Sequence, residues 1–552
     1  MFSATWDRLW EMHDDVKDRL FFFVKPNAKV DKMVKQHKDT VSSNGNHGGE
    51  EKPPRTYTLP QLIGLILGPL FFIFTLLFFQ PDDLSKEGVA ILASTLWIAT
   101  WWMTEALPIP VTSLLPIILF PLTQGMDVKA TTSAYGDETI FLFMGGFMIA
   151  LAMEKWNLHR RIALAIITLI GTNTDRIILG FMVATGFLSM WISNTATAMM
   201  MVPMGLAIIY QVAEVLKDTN IDTSKENFNF GKALMLGIAY SASLGGIGTL
   251  IGTPPNTLLA GALDKMYGID LSFAKWMFFG VPFSWFFIIL VWIYLTKVAF
   301  PLKVKQLPGG RSVFDKEKEK LGKASTEEKL VLTIFILAAF AWITRSFLLE
   351  KFMPGITDGI IAIFFGVLLF VIPSVNKKGD RLLDWNTAVK LPWGILLLFG
   401  GGLAIAAGFV ETGLTEWIGS QLMGLDAVNL ILVIFLVSVL VLALTELTSN
   451  TATASMMFPI MGALAVALGY HPMALMVAAA VSASSAFMLP VATPPNAVVF
   501  GSGYLKIKDM IKAGFALNII AIILITGLIY FYIPIVWGID LNVVPESILN
   551  SQ

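Results

Sequence analysis

Apolar runs close to the length of a bilayer span recur along this chain, and short polar islands interrupt several of them. Leu62–Phe79, Phe283–Ile293, Leu330–Trp342, Ile360–Ile372 and Ile519–Tyr532, with their flanks, approach the ~20 residues that cross a hydrocarbon core as helix. "WISNTATAMMMVP" occupies 191–203 and "LTSNTATASMMFP" 447–459, so Ser-Asn-Thr-Ala-Thr-Ala starts at Ser193 and again at Ser449, an offset of 256 residues. "GTLIGTPPNTLLAG" (248–261) follows the first island and "MLPVATPPNAVVFG" (488–501) the second, repeating Thr-Pro-Pro-Asn at an offset of 240. The pattern predicts an all-α polytopic membrane protein of about 11 transmembrane helices. Two of its segments, around 177–209 and 427–463, are expected to be re-entrant helical hairpins.

The polar islands carry the chemistry. Ser, Asn and Thr compete for backbone hydrogen bonds and favour caps and turns over helix interiors, so each hairpin is expected to turn at its Ser-Asn-Thr. Irregular backbone at membrane depth is tolerated only where it is buried in protein or lines a cavity. Pro254-Pro255 and Pro494-Pro495 break the other pair of segments, because proline removes a backbone donor and clashes with the preceding turn. A broken helix offers N–H groups and a positive dipole end to an anion, and carbonyls to a cation. One Ser-Asn-Thr alone is commonly glue between helices, and one Pro-Pro alone a kink. Their ordered recurrence in both halves points instead to one site for a divalent anion with cations beside it.

Charge divides and orients the chain. Residues 1–58 read as a cytoplasmic amphipathic segment, with Trp6, Leu9, Trp10, Val16, Leu20 and Val24 at helical spacing, followed by a linker. Residues 59–300 and 330–552 are two repeats, and 301–329 between them is a basic cytoplasmic linker. Basic clusters at Lys155, Arg160 and Arg161, at Lys377, Lys378 and Arg381, and at Lys506, Lys508 and Lys512 lie in the cytoplasm by the positive-inside rule. The N-terminus is then inside and the tail outside, and the two halves are inverted, the sequence sign of a secondary transporter.

Composition removes other classes. The chain is 55% hydrophobic and 14% charged, against about a quarter charged in soluble domains. A net charge of −1 leaves no nucleic-acid footprint, and the lack of Cys rules out disulfides and thiolate chemistry. The chain reads as a transporter and not as an enzyme. No Lys or Arg falls between Arg176 and Lys217, between Lys232 and Lys265, or between Lys390 and Lys506. A bound anion would therefore be balanced by cations and by amide and hydroxyl donors. Glu446 and Glu105 are candidate carboxylates at depth, either functional or bonded to a neighbouring helix end.

"WISNTATAMM", "TELTSNTATASMMFPI", "GTPPN", "ATPPN" and "WWMTEALPIPVTSLLP" resemble the divalent anion:sodium symporter family of the ion transporter superfamily, over residues 59–545. The resemblance implies a homodimer in the plasma membrane, each protomer moving a transport domain as an elevator, and sodium-coupled uptake of C4-dicarboxylates such as succinate, fumarate and malate. It implies that Ser193, Asn194, Thr195, Ser449, Asn450 and Thr451 hold the two carboxylates, helped by Thr253, Thr493 and Pro494. One sodium ion is expected at Ser189, Ser193, Asn194 and Gly252, the other at Thr445, Thr448, Asn450 and Ala492. Ala492 departs from the Gly that commonly precedes Thr-Pro-Pro-Asn, which leaves a carbonyl ligand intact. Sodium-independent exchange, transport of citrate or sulfate, and a receptor that binds without transport are the alternatives.

Overall fold

Length and apolar composition dictate helices, and helices are what form. The computed structural model describes residues 57–171, 173–216, 222–302, 318–422 and 428–549. Residues 1–56 of the expected amphipathic segment and 303–317 of the basic linker lie outside them. Among the described residues there is no β-strand, only an isolated bridge between Pro373 and Arg381. Eight helices among the described residues are long and apolar enough to cross a membrane, and four shorter apolar helices, Ile109–Leu122, Asp358–Val371, Leu430–Thr445 and Pro472–Ala483, accompany them.

In chain order α1 spans Leu59–Phe78, α2 Lys86–Thr104, α3 Glu138–Lys155 and α4 Leu158–Ile170. Then come α5 Thr174–Ser189, α6 Asn194–Val215, α7 Asn229–Gly246, α8 Pro254–Tyr267 and α9 Phe273–Ile293. Beyond the linker lie α10 Thr326–Thr344, α11 Asp358–Val371, α12 Trp393–Glu411 and α13 Leu414–Leu422. The chain closes with α14 Leu430–Thr445, α15 Asn450–Ala467, α16 Pro472–Ala483, α17 Pro494–Phe500 and α18 Ile507–Phe531.

Burial grades inward from α1. Its Leu62, Ile66, Leu70, Phe74 and Phe78 are exposed, as expected of a helix facing lipid. By contrast α7 is buried continuously from Phe230 to Gly246 and α16 from Pro472 to Ala483. A helix that is apolar on all sides belongs inside, and these two lead directly into the two Pro-Pro breaks. α5 packs along α7 so closely that a side chain on Gly245 would collide with the backbone of Gly186. Close backbone approach through small residues is how helices associate where lipid removes the hydrophobic drive between them.

The halves interlock. α6 of the first half packs on α17 of the second, and α15 of the second packs on α8 of the first. Each Ser-Asn-Thr helix thus rests on the Pro-Pro-Asn helix of the other half. Tyr240 on α7 also donates to the Phe487 carbonyl at 2.9 Å, within the second break.

Candidate functional site

Ser193 and Ser449 both stand in extended conformation immediately before a helix, so α5–α6 and α14–α15 are helix–turn–helix pairs with Ser-Asn-Thr at the turn. Ser193 Oγ accepts from the Ala196 N–H at 3.2 Å, a side-chain cap that satisfies one of the orphan donors of a helix start. Thr253 and Thr493 occupy the equivalent extended position before α8 and α17, with Pro in the first turn, where its missing N–H costs nothing. Ser193, Asn194, Thr195, Ser449 and Asn450 are partly exposed, Pro494 is exposed, and Thr253, Thr451 and Thr493 are buried.

Around Asn194 the oxygens crowd. Ser189 Oγ lies 2.6 Å from the Ala242 carbonyl and 2.5 Å from Asn194 Oδ1. A hydroxyl has one proton, so it cannot donate to both. With the amide reversed, its nitrogen would donate to Ser189 Oγ at 2.5 Å, the Ala242 carbonyl at 3.1 Å and the Gly252 carbonyl at 3.2 Å. With oxygen in that place, four oxygens from four parts of the chain face one another, an arrangement that a hard cation stabilises. The pocket exists because two glycines form its wall. A Cβ on Gly246 would stand 2.6 Å from Asn194 Oδ1 and 3.0 Å from the Gly252 carbonyl.

The second half repeats this arrangement. Thr445 Oγ1 lies 2.7 Å from Asn450 Oδ1 and 2.7 Å from the Ala483 carbonyl, again one proton between two acceptors. Ser189 and Thr445 are buried. Both oxygen sets suit sodium, which takes carbonyl, amide and hydroxyl oxygens without needing a carboxylate.

Of the expected cation ligands, Ser189, Asn194 and Gly252 come together, as do Thr445 and Asn450. Ser193 Oγ also caps α6, and Thr448 Oγ1 donates to Leu444 O at 2.8 Å while meeting Thr453 Oγ1 at 2.6 Å, bonds that leave each hydroxyl oxygen a lone pair. Sequence reasoning missed the Ala242 and Ala483 carbonyls, because a carbonyl leaves no trace in residue type. The Thr453 hydroxyl meets that of Thr448, because the two lie on either side of the turn.

The breaks are held by asparagine and glutamate. Asn256 Nδ2 donates to the Thr249 carbonyl at 2.7 Å and to those of Gly246 and Ile247 at 3.2 Å. Asn496 Nδ2 does the same for Leu489 at 3.0 Å and Ala486 at 3.3 Å. Thr249 Oγ1 donates to the Met190 carbonyl, tying the first break to the first hairpin turn. In the second half Glu446 makes that tie. Its carboxylate accepts from the amides of Phe487, Met488 and Leu489 at 2.9–3.2 Å and from Asn518 Nδ2 at 2.7 Å. Glu446 is therefore the bonded alternative, a carboxylate neutralising the orphan donors of a broken helix. Glu105 is exposed and ends α2 in left-handed conformation, its carbonyl accepting from Gln61 Nε2 at 3.1 Å.

Known proteins share this architecture. The sequence profile of the sodium:sulfate symporter transmembrane region matches residues 60–539. A sodium-dependent dicarboxylate transporter, SdcS, of Staphylococcus saprophyticus is 52% identical over 496 residues, covering 89% of this chain and 95% of the relative. SdcS of Staphylococcus aureus is 51% identical over 511 residues, 92% of this chain and 98% of the relative. Among solved structures, the YdaH transporter of Alcanivorax borkumensis aligns at a TM-score of 0.52 with 14% identity, covering 82% of this chain and 99% of that one. MtrF of Neisseria gonorrhoeae aligns at 0.51 with 13% identity, covering 87% and 95%. These two likenesses concern the fold.

Proposed function

This chain belongs to the sodium:sulfate symporter family, and from that premise we propose that it imports C4-dicarboxylates such as succinate, fumarate and malate together with sodium. The observation that carries the reading is the pair of oxygen clusters at Ser189–Asn194 and Thr445–Asn450. Each ends on an Asn whose amide has two faces, an oxygen for a cation and an NH₂ for a carboxylate. The substrate carboxylates are held by Ser193, Asn194 and Thr195 on one side and Ser449, Asn450 and Thr451 on the other, with Thr253, Thr493 and Pro494 closing the site. The N-terminal ends of α6, α8 and α15 add positive dipole to the dianion.

Sodium supplies the charge that the absent Lys and Arg do not. In this scheme the ions bind first, fix both Asn amides with oxygen toward the cation, and so present NH₂ to the substrate. The four motif-bearing segments travel as one block, an elevator, against the remaining helices. The protein sits in the plasma membrane as a homodimer with its N-terminus in the cytoplasm, and residues 59–300 and 330–552 are its inverted repeats.

Uptake of labelled succinate into proteoliposomes tests this. We expect uptake only with an inward sodium gradient and a sigmoidal dependence on external sodium. Equal rates in potassium would replace symport with exchange, and competition by sulfate or citrate stronger than by malate would replace the substrate class.

A further inference from the structure

The helices fall into two groups by their polar ties. Residues 57–171 and 318–422, the frame, are joined by Lys155 to Asp380 and Asp384, by Arg161 to Glu328, and by Glu138, which accepts from the Gly359 N–H at 3.2 Å. Residues 173–302 and 428–549 hold all four polar motifs. They are joined by Lys232 to Asp509 at 2.8 Å, by Tyr240 to the Phe487 carbonyl, and by Trp537 Nε1 to the Lys275 carbonyl at 2.7 Å. Between described residues, hydrogen bonds and ion pairs cross from one group to the other at a single corner. Elsewhere small and apolar side chains meet. A Cβ on Gly261 of α8 would touch Thr139 and Leu403, and one on Gly402 of α12 would touch Ser455 and Leu258.

Asp358 and Arg345 make the crossing. Asp358, 7% exposed at the start of α11, accepts the Phe273 N–H through Oδ2 at 2.8 Å. Phe273 opens α9, so an orphan donor of a motif-bearing helix is satisfied by a carboxylate of the frame, which also meets the positive end of the α9 dipole. Arg345, 6% exposed just beyond α10, has Nε 2.9 Å from Asp358 Oδ1, an ion pair without hydrogen-bond alignment. It donates to Glu350 at 2.9 Å and, across the boundary, to Asp270 between α8 and α9 at 3.0 Å. The Asp270 side chain is largely exposed, so its pair is the weaker half of the crossing. The buried, charge-assisted bond of Asp358 is the stronger.

The corner also reaches the first hairpin. Phe273 stacks on Trp342 with ring centroids 4.9 Å apart and on Trp191 at 6.1 Å. Trp191 stands two residues before Ser193, and Trp342 Nε1 donates to the Asp358 carbonyl at 3.0 Å. An apolar boundary packs comparably at more than one offset, because burial is not directional. Hydrogen bonds to fixed partners hold at one offset alone.

We propose that Asp358 and Arg345 form a latch that holds the motif-bearing group in the position seen here, and that the group moves against the frame only when the Phe273 N–H and Asp270 leave them. The inference rests on the reading above that this group travels as one block. Releasing the latch frees the first hairpin with it, through the Trp342–Phe273–Trp191 stack.

The experiment places a pair of spin labels at Met353→Cys on the frame and Asn542→Cys on the block, both exposed. Co-expression with an excess of the unsubstituted, Cys-free chain makes each pair report one protomer. Pulsed dipolar spectroscopy in sodium, with and without succinate, gives the ratio of the position seen here to a displaced one. Asp358→Asn should lower that ratio roughly fivefold to tenfold, the scale of a weakened hydrogen bond to a charged group, and Asp270→Asn about twofold. In an Arg345→Gln background Asp270→Asn should have no further effect, because the two act as a pair. Asp270 is exposed, so its variant keeps the test open if a buried substitution fails to fold. A ratio unchanged in Asp358→Asn and Asp270→Asn, whatever their melting temperatures, overturns the latch alone. One unvarying distance in every variant and condition, in protein that still takes up succinate with sodium, overturns the moving block and the latch with it.

Discussion

Asn194 and Asn450 each carry two opposed demands on one side chain. If the amide oxygen serves sodium and the NH₂ serves substrate, Asn450→Ala should lose sodium-dependent thermal stabilisation and succinate binding together. Loss of a charge-assisted hydrogen bond is worth about 1.5–3 kcal/mol, roughly tenfold to a hundredfold in affinity. Asn194→Asp separates the roles, since it keeps oxygens for the cation and removes the donor. Sodium should still stabilise this variant while succinate affinity falls. Full succinate affinity in Asn194→Asp would show that the amide does not touch the substrate. Thr453, through its 2.6 Å contact with Thr448, should matter for the second cation site, so Thr453→Val is expected to raise the sodium requirement.

At the scale of elements, the breaks exist because specific side chains accept what the helices abandon. Glu446 takes four donors from the second break and from α18. Glu446→Gln turns an NH₂ toward backbone N–H groups and should lower the melting temperature even without sodium. A melting temperature unchanged in sodium-free buffer would refute the bonded role. The first break relies on Asn256, whose three acceptors outnumber the two of Asn496. Gly246→Ala drives a methyl against Asn194. It should abolish sodium stabilisation while leaving a folded, monodisperse protein, which size-exclusion chromatography with sodium titration would check.

For the whole molecule, orientation and charge make the testable statements. The natural chain has no Cys, so single cysteines report sidedness cleanly. Lys323→Cys should react with an impermeant maleimide only after cells are opened, and Glu546→Cys in intact cells; the reverse pattern would invert the topology. The Lys155 ammonium, 2.7 Å from Asp384, holds its carboxyl down at about 2. A carboxyl depressed on folding stabilises fully above its unfolded value near 4, and that contribution fades as pH falls through about 2. The melting-temperature deficit of Asp384→Asn should therefore be constant between pH 5 and 8. Succinate, a dianion near neutrality, should be carried at similar rates from pH 6.5 to 8, whereas a steep rise on acidification would mean proton coupling.

The sequence alone determined the class, the helical composition and the position of the polar breaks, because these follow from local properties. Span length is read from apolar runs, and a paired Ser-Asn-Thr or Pro-Pro interrupts a helix wherever it falls. The family resemblance, not spacing, implied that Ser189 goes with Asn194 and Thr445 with Asn450, and the fold brings each pair into hydrogen-bonding distance across its turn. Tertiary structure alone decided the rest of each oxygen cluster, since the Ala242 and Ala483 carbonyls reach it from a different helix and backbone oxygens are the same in every residue. The partner of Glu446 was equally illegible, because the amides it accepts became available only when α16 ended beside it. Arg160 looked like one member of a basic cluster, and only the packing of Asp380 and Asp384 against Lys155 and of Glu328 against Arg161 set its two neighbours apart from it.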